Sequence, residues 1–280
     1  MQDFDEAVQH AINRRQGYDL TARAVEMIRK QAITAINVDL VYGLPQQTLE
    51  SLQRTIAQVL TLQPDRIAVF GYAHLPTRLK HQRLIDDNAL PDGLQRFQQA
   101  AFIADELERN GYVRIGLDHF ARPGDPLAQA KARRNFQGYT TDHTDALIGL
   151  GASAIGRLPQ GYVQNATTTG DYTRGIRERG LATARGLRLS EQDRVRGHVI
   201  ERLMCDLEFD GRQLEQEFGA HAKSVVGEAR ALIDGSEHGL IEPTDTGFRV
   251  TSRGRPFLRA ICAHFDAYLG TGTARHSIGV

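Results

Sequence analysis

An aspartate set inside an apolar strand is the first feature of this sequence that invites chemistry. Asp39 lies in Ile36-Asn37-Val38-Asp39-Leu40-Val41-Tyr42, an alternating run stopped by Gly43-Leu44-Pro45. A carboxylate desolvated there costs on the order of several kcal/mol unless it is paired. It suits a bidentate hydrogen bond to a ribose diol; the alternative is an edge-strand carboxylate that faces solvent or caps a neighbouring helix. Three more polar groups are expected at strand carboxyl ends, where parallel α/β folds place their ligands. They are His74, after the strand Arg66 to Tyr72, and the pair Asp118-His119, after Tyr112 to Leu117. The pair offers an acid or base beside a charge. Adjacent strand residues point to opposite faces, and local turn bonding is the alternative.

Two loops could bind ligands. Arg133-Arg134-Asn135-Phe136-Gln137-Gly138-Tyr139-Thr140-Thr141 combines guanidinium groups for carboxylates or phosphates with rings for a flat ligand. An exposed loop held by its own turns is the other reading. Gly149-Leu150-Gly151-Ala152-Ser153-Ala154-Ile155-Gly156 lacks a complete phosphate fingerprint and is not followed by Lys-Ser/Thr. It suits close backbone approach to a planar base, or a tight packing turn. The ten histidines show no metal-ligand spacing, and there is no nucleophile elbow. No metal site is expected from this chain. Cys205 and Cys262 are the only cysteines, too few for a disulfide framework or for a site of three or four thiolates. They read as buried, reduced thiols.

Periodicity gives the elements that must hold these groups. Residues 5–16 and 19–33 read as helices, the second capped by Asp19 with a stripe of Leu20, Ala24 and Met27. After the Asp39 strand, Thr48 caps a helix with Leu49, Leu52, Ile56, Val59 and Leu60, ended by Pro64. The strand 66–72, a helix over 93–109 stopped by Gly111, and a strand over 112–117 follow. Strand and helix alternate, which predicts βαβ units and a parallel sheet. Residues 120–186 read as less regular. Ser190 and Asp193 then open a helix over 191–205, followed by helices over 211–218 and 221–235. Short strands flank a turn at Thr244 to Gly247, and a helix over 256–269 closes the pattern. Three helices, a two-stranded wing and a last helix resemble a winged-helix module.

The 280 residues carry 34 Lys+Arg and 34 Asp+Glu, a formal net charge of zero, which gives no general attraction to nucleic acid or anionic lipid. With 41% hydrophobic and 24% charged residues, the composition is that of a globular chain and excludes disordered or collagen-like classes. No run approaches the roughly 18 apolar residues of a membrane span, and no signal-peptide core opens the sequence. A soluble, cytoplasmic monomer without nucleic-acid or membrane partners is the expectation.

Val38-Asp39-Leu40-Val41-Tyr42-Gly43-Leu44-Pro45, Tyr72-Ala73-His74-Leu75-Pro76, Asp118-His119-Phe120-Ala121-Arg122-Pro123 and Arg134-Asn135-Phe136-Gln137-Gly138-Tyr139-Thr140-Thr141 together resemble the oxygen-independent coproporphyrinogen III oxidases. These are radical S-adenosylmethionine (SAM) enzymes of haem synthesis. The first stretch is shared with related haem chaperones; the last two are specific to the oxidases. The resemblance runs from Gln2 to the last helix. It implies an α/β fold: a partial β/α radical-SAM barrel over 1–186, then a mostly helical, winged-helix-like domain over 187–280. It implies SAM-dependent oxidative decarboxylation of two propionates of coproporphyrinogen III to vinyls, giving protoporphyrinogen IX. Five positions match the family's SAM contacts: Gln2, Arg14, Asp39, Ala73 and Ile155. Arg14 would pair with the SAM carboxylate, Asp39 with the ribose, Ala73 and Ile155 with adenine, and Gln2 with the amino-acid end.

The family holds a [4Fe–4S] cluster on a Cys-x-x-x-Cys-x-x-Cys motif and SAM on a Gly-Gly-Gly-Thr stretch, and neither motif occurs in this sequence. The resemblance therefore implies an N-terminally truncated member, with Met1 in the place of a family valine, as a start opened at an internal codon would give. Such a chain is expected to be inactive alone. A haem- or tetrapyrrole-binding chaperone relative and a winged-helix nucleic-acid binder are the other readings.

Overall fold

The computed structural model describes residues 1–136, 138–236 and 238–269. These form two compact units. One comprises Met1–Lys131 with Ser252–Ala260; the other comprises Ala132–Thr251 with Ile261–Leu269. Packing thus divides the chain near residue 131, whereas the resemblance divides it at 186.

The first unit opens with α1 (Glu6–Ala11), capped by Asp5, whose carboxylate accepts from the Ala7 and Val8 amides. Asn13 adopts φ 50° just beyond it, so the helix stops short of the expected residue 16. Helix α2 (Tyr18–Lys30) is capped by Gly17 rather than Asp19, which sits in the first turn. Its buried side is Thr21 and Val25, while Leu20 and Met27 are exposed, so the expected stripe is displaced by one position. The bonded side decides this. The Tyr18 hydroxyl lies 2.7 Å from Thr61 Oγ1, and Arg29 donates to the Leu62 and Gln63 carbonyls.

Strand β1 (Asn37–Tyr42) leads to α3 (Leu49–Thr61), which Thr48 and Ser51 start with a reciprocal capping box. Leu52, Ile56 and Val59 face the core. Strand β2 (Arg66–Gly71) and α4 (Gly93–Arg109) follow, the latter boxed by Asp92 and Gln95. Next come β3 (Val113–Ile115), β4 (His119–Ala121) and the short α5 (Pro126–Gln129). Val38, Leu40, Ile67, Val69 and Phe120 form a single core with Ile103, Ala104 and Leu107 of α4.

The sheet order is β1-β2-β4-β3, and only β1 and β2 run parallel. The all-parallel expectation is corrected here. Gly116, at φ 52°, starts a tight turn that sends the chain back antiparallel as β4. The buried Phe120 and Ala121 claim the place beside β2, and the half-exposed Val113 is left at the edge.

The second unit is more regular than its sequence suggests. The hairpin β5 (Arg133–Asn135) and β6 (Gly138–Thr140) is followed by β7 (Ile155–Leu158) and β8 (Gly161–Asn165). Helix α6 (Thr169–Arg179) then leads to β9 (Thr183–Arg188), and β7-β8-β9 form an antiparallel sheet. Helix α7 (Glu191–Asp206) starts with the expected Ser190–Asp193 box. After it come β10 (Glu208–Asp210), α8 (Gly211–Phe218), α9 (Lys223–Asp234), β11 (Ile241–Pro243) and β12 (Gly247–Val250), with β12 central in the sheet β10-β12-β11. The final helix, α10 (Leu258–Ala263), is shorter than the expected 256–269. The part of that expectation nearest the terminus adjoins residues 270–280, which lie outside the described residues. No described helix is long and apolar enough to cross a membrane.

Candidate functional site

The candidate site of the first unit begins with the segment that runs beside β1. The Val41 amide donates to the Gln2 carbonyl at 3.1 Å, which places Gln2 against the strand that carries Asp39. The Met1 amino group lies within Coulomb range of both Arg14 and Asp39. Burial lowers its pKa, Arg14 lowers it further, and Asp39 opposes both. Arg14 and Asp39 thus both act on Met1, and Gln2 adjoins the strand that carries Asp39. Gln2 Oε1 is buried and has no hydrogen-bond partner, so an acceptor there is left for a donor from outside.

A polar network fixes this segment. The buried Asp3 carboxylate accepts from Thr55 Oγ1 at 2.6 Å, Gln47 Nε2 at 2.6 Å and the Asp5 amide at 2.8 Å. Gln47 also donates to the Val41 carbonyl, and Gln99 donates to the Gln47 carbonyl while accepting from the Gly43 amide. Gln9 ties the Asp3 carbonyl to Gln16. The loop after β1 and the start of the chain are thus bound to α3 and α4. Sequence reasoning missed Asp3, Gln47, Thr55 and Gln99. Thr55 and Gln99 lie in α3 and α4 and Asp3 and Gln47 in irregular segments, and the partners that bury them are far along the chain.

Asp39 itself differs from its expectation. It is the third residue of an edge strand, not at the carboxyl end, and it is exposed. Asn37 Nδ2 donates to its Oδ1 at 2.7 Å. The carboxylate stays solvated because no strand covers that side of β1 among the described residues. Ala73 does follow the end of β2, where its carbonyl accepts from Gln82 Nε2. His74 is held between the Tyr72 hydroxyl at 3.2 Å and Asp87 Oδ1 at 2.8 Å. Ile155 opens β7 in the second unit, opposite Gln164, and is half-buried.

Asp118 and His119 do meet, contrary to the strand alternation expected of them. Asp118 belongs to the turn and only His119 to β4, so Asp118 Oδ1 reaches His119 Nδ1 at 2.8 Å. Arg259 Nη2 stands 3.3 Å from Asp118 Oδ2. Ala68 pairs with Asp39 on one side and with His119 on the other, so the carboxylate and the imidazole share a row of the sheet.

In the second unit, Arg133 pairs with Glu201 and Arg134 stacks on Tyr139 with 5.5 Å to the ring centroid. Burial would raise the Glu201 pKa, but the Arg134 amide, Arg133 and Arg202 outweigh it and hold the carboxyl below its usual range. The Tyr139 hydroxyl donates to the Met204 carbonyl. Much of this loop's polar chemistry is thus spent within the fold. Gln137 lies outside the described residues. In the glycine-rich stretch, a Cβ on Gly149 would come within 2.9 Å of the Ile155 carbonyl carbon, and one on Gly156 within 2.9 Å of the Leu147 oxygen. The close approach is backbone to backbone, as a packing turn requires.

Residues 189–257 match the family described as the HemN C-terminal domain. The oxygen-independent coproporphyrinogen III oxidase of Bradyrhizobium diazoefficiens is 46% identical over the whole of this chain, and that of Paracoccus denitrificans is 44% identical over 96% of it. A coproporphyrinogen III oxidase from Escherichia coli, described as a radical SAM enzyme, matches with TM-score 0.89 and 38% identity over 96% of the chain. The chain belongs to the oxygen-independent coproporphyrinogen III oxidase family. It spans 63%, 60% and 63% of the lengths of these three proteins, respectively.

Membership in the oxidase family implies two cofactors, and the chain's own residues fit them unequally. For SAM, the unpartnered Gln2 acceptor, the Arg14 cation and the exposed Asp39 carboxylate offer complementary chemistry to a zwitterionic amino acid and a ribose. For the [4Fe–4S] cluster the residues do not fit. The two cysteines are too few, and no described group of three or more His, Cys, Asp or Glu could hold a metal. Cys205 is moreover pushed up to about 12 by burial, with Arg202 opposing. Its native alkylation by iodoacetamide at pH 8 should be about a thousandfold slower than after unfolding in urea. Mass spectrometry of timed samples checks this; equal rates would show a thiol exposed to solvent.

Proposed function

We infer that this chain contributes the SAM-facing and substrate-facing part of an oxygen-independent coproporphyrinogen III oxidase. The reaction would be oxidative decarboxylation of two propionates of coproporphyrinogen III to vinyls, giving protoporphyrinogen IX for haem synthesis. The observation that carries the reading is the buried, unpartnered Gln2 acceptor on the segment that runs beside the strand of Asp39, with Arg14 and Asp39 both within Coulomb range of Met1.

When bound, SAM supplies the group that abstracts a hydrogen from a propionate side chain. The chain's residues hold and orient it. Arg14 would take the carboxylate, Gln2 Oε1 would accept from the ammonium, Asp39 would accept from the ribose hydroxyls and Ala73 would contact adenine, a role the family resemblance also gives to Ile155. Asn37 helps to aim the Asp39 carboxylate. No step is assigned through an iron–sulfur cluster, because these residues do not supply its ligands, and turnover by this polypeptide alone is not expected.

Replacing Asp39 by Ala should weaken SAM binding by about 10- to 100-fold, the worth of hydrogen bonds to a charged group. Equilibrium dialysis with labelled SAM measures it, and unchanged affinity would remove the ribose role.

The order α7, β10, α8, α9, β11, β12 with a central β12 supports a winged-helix-like domain over 187–280, and 1–186 is assigned to the partial barrel and its loops. Residues 187–280 carry 12 Lys+Arg against 14 Asp+Glu, which favours a packing role for this domain over nucleic-acid reading. A cytoplasmic monomer without membrane or nucleic-acid partners completes the proposal.

A further inference from the structure

Arg96 lies in the first turns of α4, at the carboxyl ends of the two parallel strands. A Cβ on Gly43, just after β1, would stand 3.1 Å from Arg96 Nη1 and 3.2 Å from its Cζ. A Cβ on Gly71, the last residue of β2, would stand 3.4 Å from Nη2 and 2.9 Å from the Tyr42 hydroxyl. The guanidinium is therefore laid over two glycines, beside a phenol. The side chain is half-buried, yet it makes no hydrogen bond or ion pair with any described residue. Gly71 is exposed, so the place is reachable, and the Gly43 amide is occupied by Gln99.

A guanidinium cannot shed its charge, and this one has no protein acceptor among the described residues, so its N–H donors are open to solvent or to a ligand. The surroundings reinforce the positive field. Arg259 and Arg114 also lie within Coulomb range of Tyr42, and the nearby Asp118 is engaged by His119 and Arg259. Burial pushes the Tyr42 pKa up, so its hydroxyl remains a neutral donor at physiological pH. An oxyanion with two acceptor atoms is the group that completes this arrangement.

We propose that Arg96 and the Tyr42 hydroxyl form a carboxylate-binding subsite at the carboxyl ends of β1 and β2. This rests on the functional reading above, which supplies two carboxylates: a propionate of the tetrapyrrole and the methionyl carboxylate of SAM. The guanidinium donates two parallel N–H bonds to the carboxylate and the phenol donates a third. Gly43 and Gly71 are required because a side chain at either would displace the guanidinium or the phenol.

The test compares the wild-type chain with Arg96→Gln, Arg96→Lys and Gly71→Ala, each checked for folding by circular dichroism. Coproporphyrin III, which carries the same four propionates, is titrated by fluorescence; its tetramethyl ester serves as the uncharged control, and SAM is measured by dialysis. Arg96→Gln should weaken coproporphyrin III by about 10- to 100-fold, with Arg96→Lys between it and wild type and the ester unaffected. The same loss confined to SAM would place the methionyl carboxylate there and equally support the subsite. Unchanged binding of both ligands by Arg96→Gln, or equal weakening of acid and ester, overturns the subsite and leaves the functional reading intact. A wild-type chain that binds neither ligand overturns that reading and the subsite with it. If Arg96→Gln does not fold, Arg96→Lys and Gly71→Ala decide by the same pattern.

Discussion

Replacing Asp3 by Ala should destabilise the first unit by about 3–5 kcal/mol, a large part of the roughly 5–15 kcal/mol that holds a typical domain. The carboxylate is 2% exposed and accepts three hydrogen bonds, from Thr55, Gln47 and the Asp5 amide. Its removal strands three inward-facing donors, each costing about 1–3 kcal/mol when unsatisfied, with less than additive effect because the network relaxes together. Thr55→Val takes away one donor to the carboxylate and the acceptor of the Phe4 amide, and should cost about 1–3 kcal/mol. Urea denaturation followed by circular dichroism measures both. An Asp3→Ala loss below that of Thr55→Val would mean that the network does not depend on its carboxylate.

The same residue gives the stability a sign with pH. Burial raises the Asp3 pKa, against the bonds from Thr55, the Asp5 amide and Gln47. The folded state therefore holds this proton more tightly than the unfolded chain. The contribution is complete below the unfolded value of about 3.9 and is lost as pH rises through the raised folded value. Asp3→Asn removes this component, so the difference between wild-type and variant stability should shift across that window and level off above it.

Elements with a clear period were legible. The alternation of Val38 and Leu40 gave β1, and Thr48 with Leu52, Ile56 and Val59 gave α3 from its cap inward. Asp210 caps α8, whose bounds match the expected 211–218. What escaped had no period to read. Strand β4 is three residues long, directly after a turn, and all three are buried, so it reads as the tail of the preceding strand. Strand β9 is exposed at every position, which removes the alternation that marks a half-buried strand.

The site was legible in residue type and not in environment. Asp39 drew notice as an anomaly within an apolar run, but exposure is a property of its edge position, which depends on what pairs with β1. Asp3, Gln47, Thr55 and Gln99 carry no local signal, because their partners lie far along the chain. Arg96 is similar: its place is made by two glycines from other segments.

Replacing Phe248 by Ala should cost about 3–5 kcal/mol, and the loss should be felt in the second unit. Phe248 is fully buried in the central strand β12. It pairs with Phe209 of β10, and the two rings stack with centroids 5.4 Å apart at 14°. Phe209 in turn stacks on Phe265 at 5.9 Å and 6°, so one ring column joins the sheet to the segment after α10. Truncation removes the first ring and leaves a cavity that neighbouring backbone, fixed on both sides by strand pairing, cannot close. Phe248→Leu keeps most of the volume and should cost about 1–2 kcal/mol. Hydrogen exchange locates the effect. Amides of α7, α9 and β12 should lose protection in Phe248→Ala, while those of β1, β2 and α3 keep theirs, because each unit has its own core. Equal loss of protection in both sets would show that the two units unfold as one.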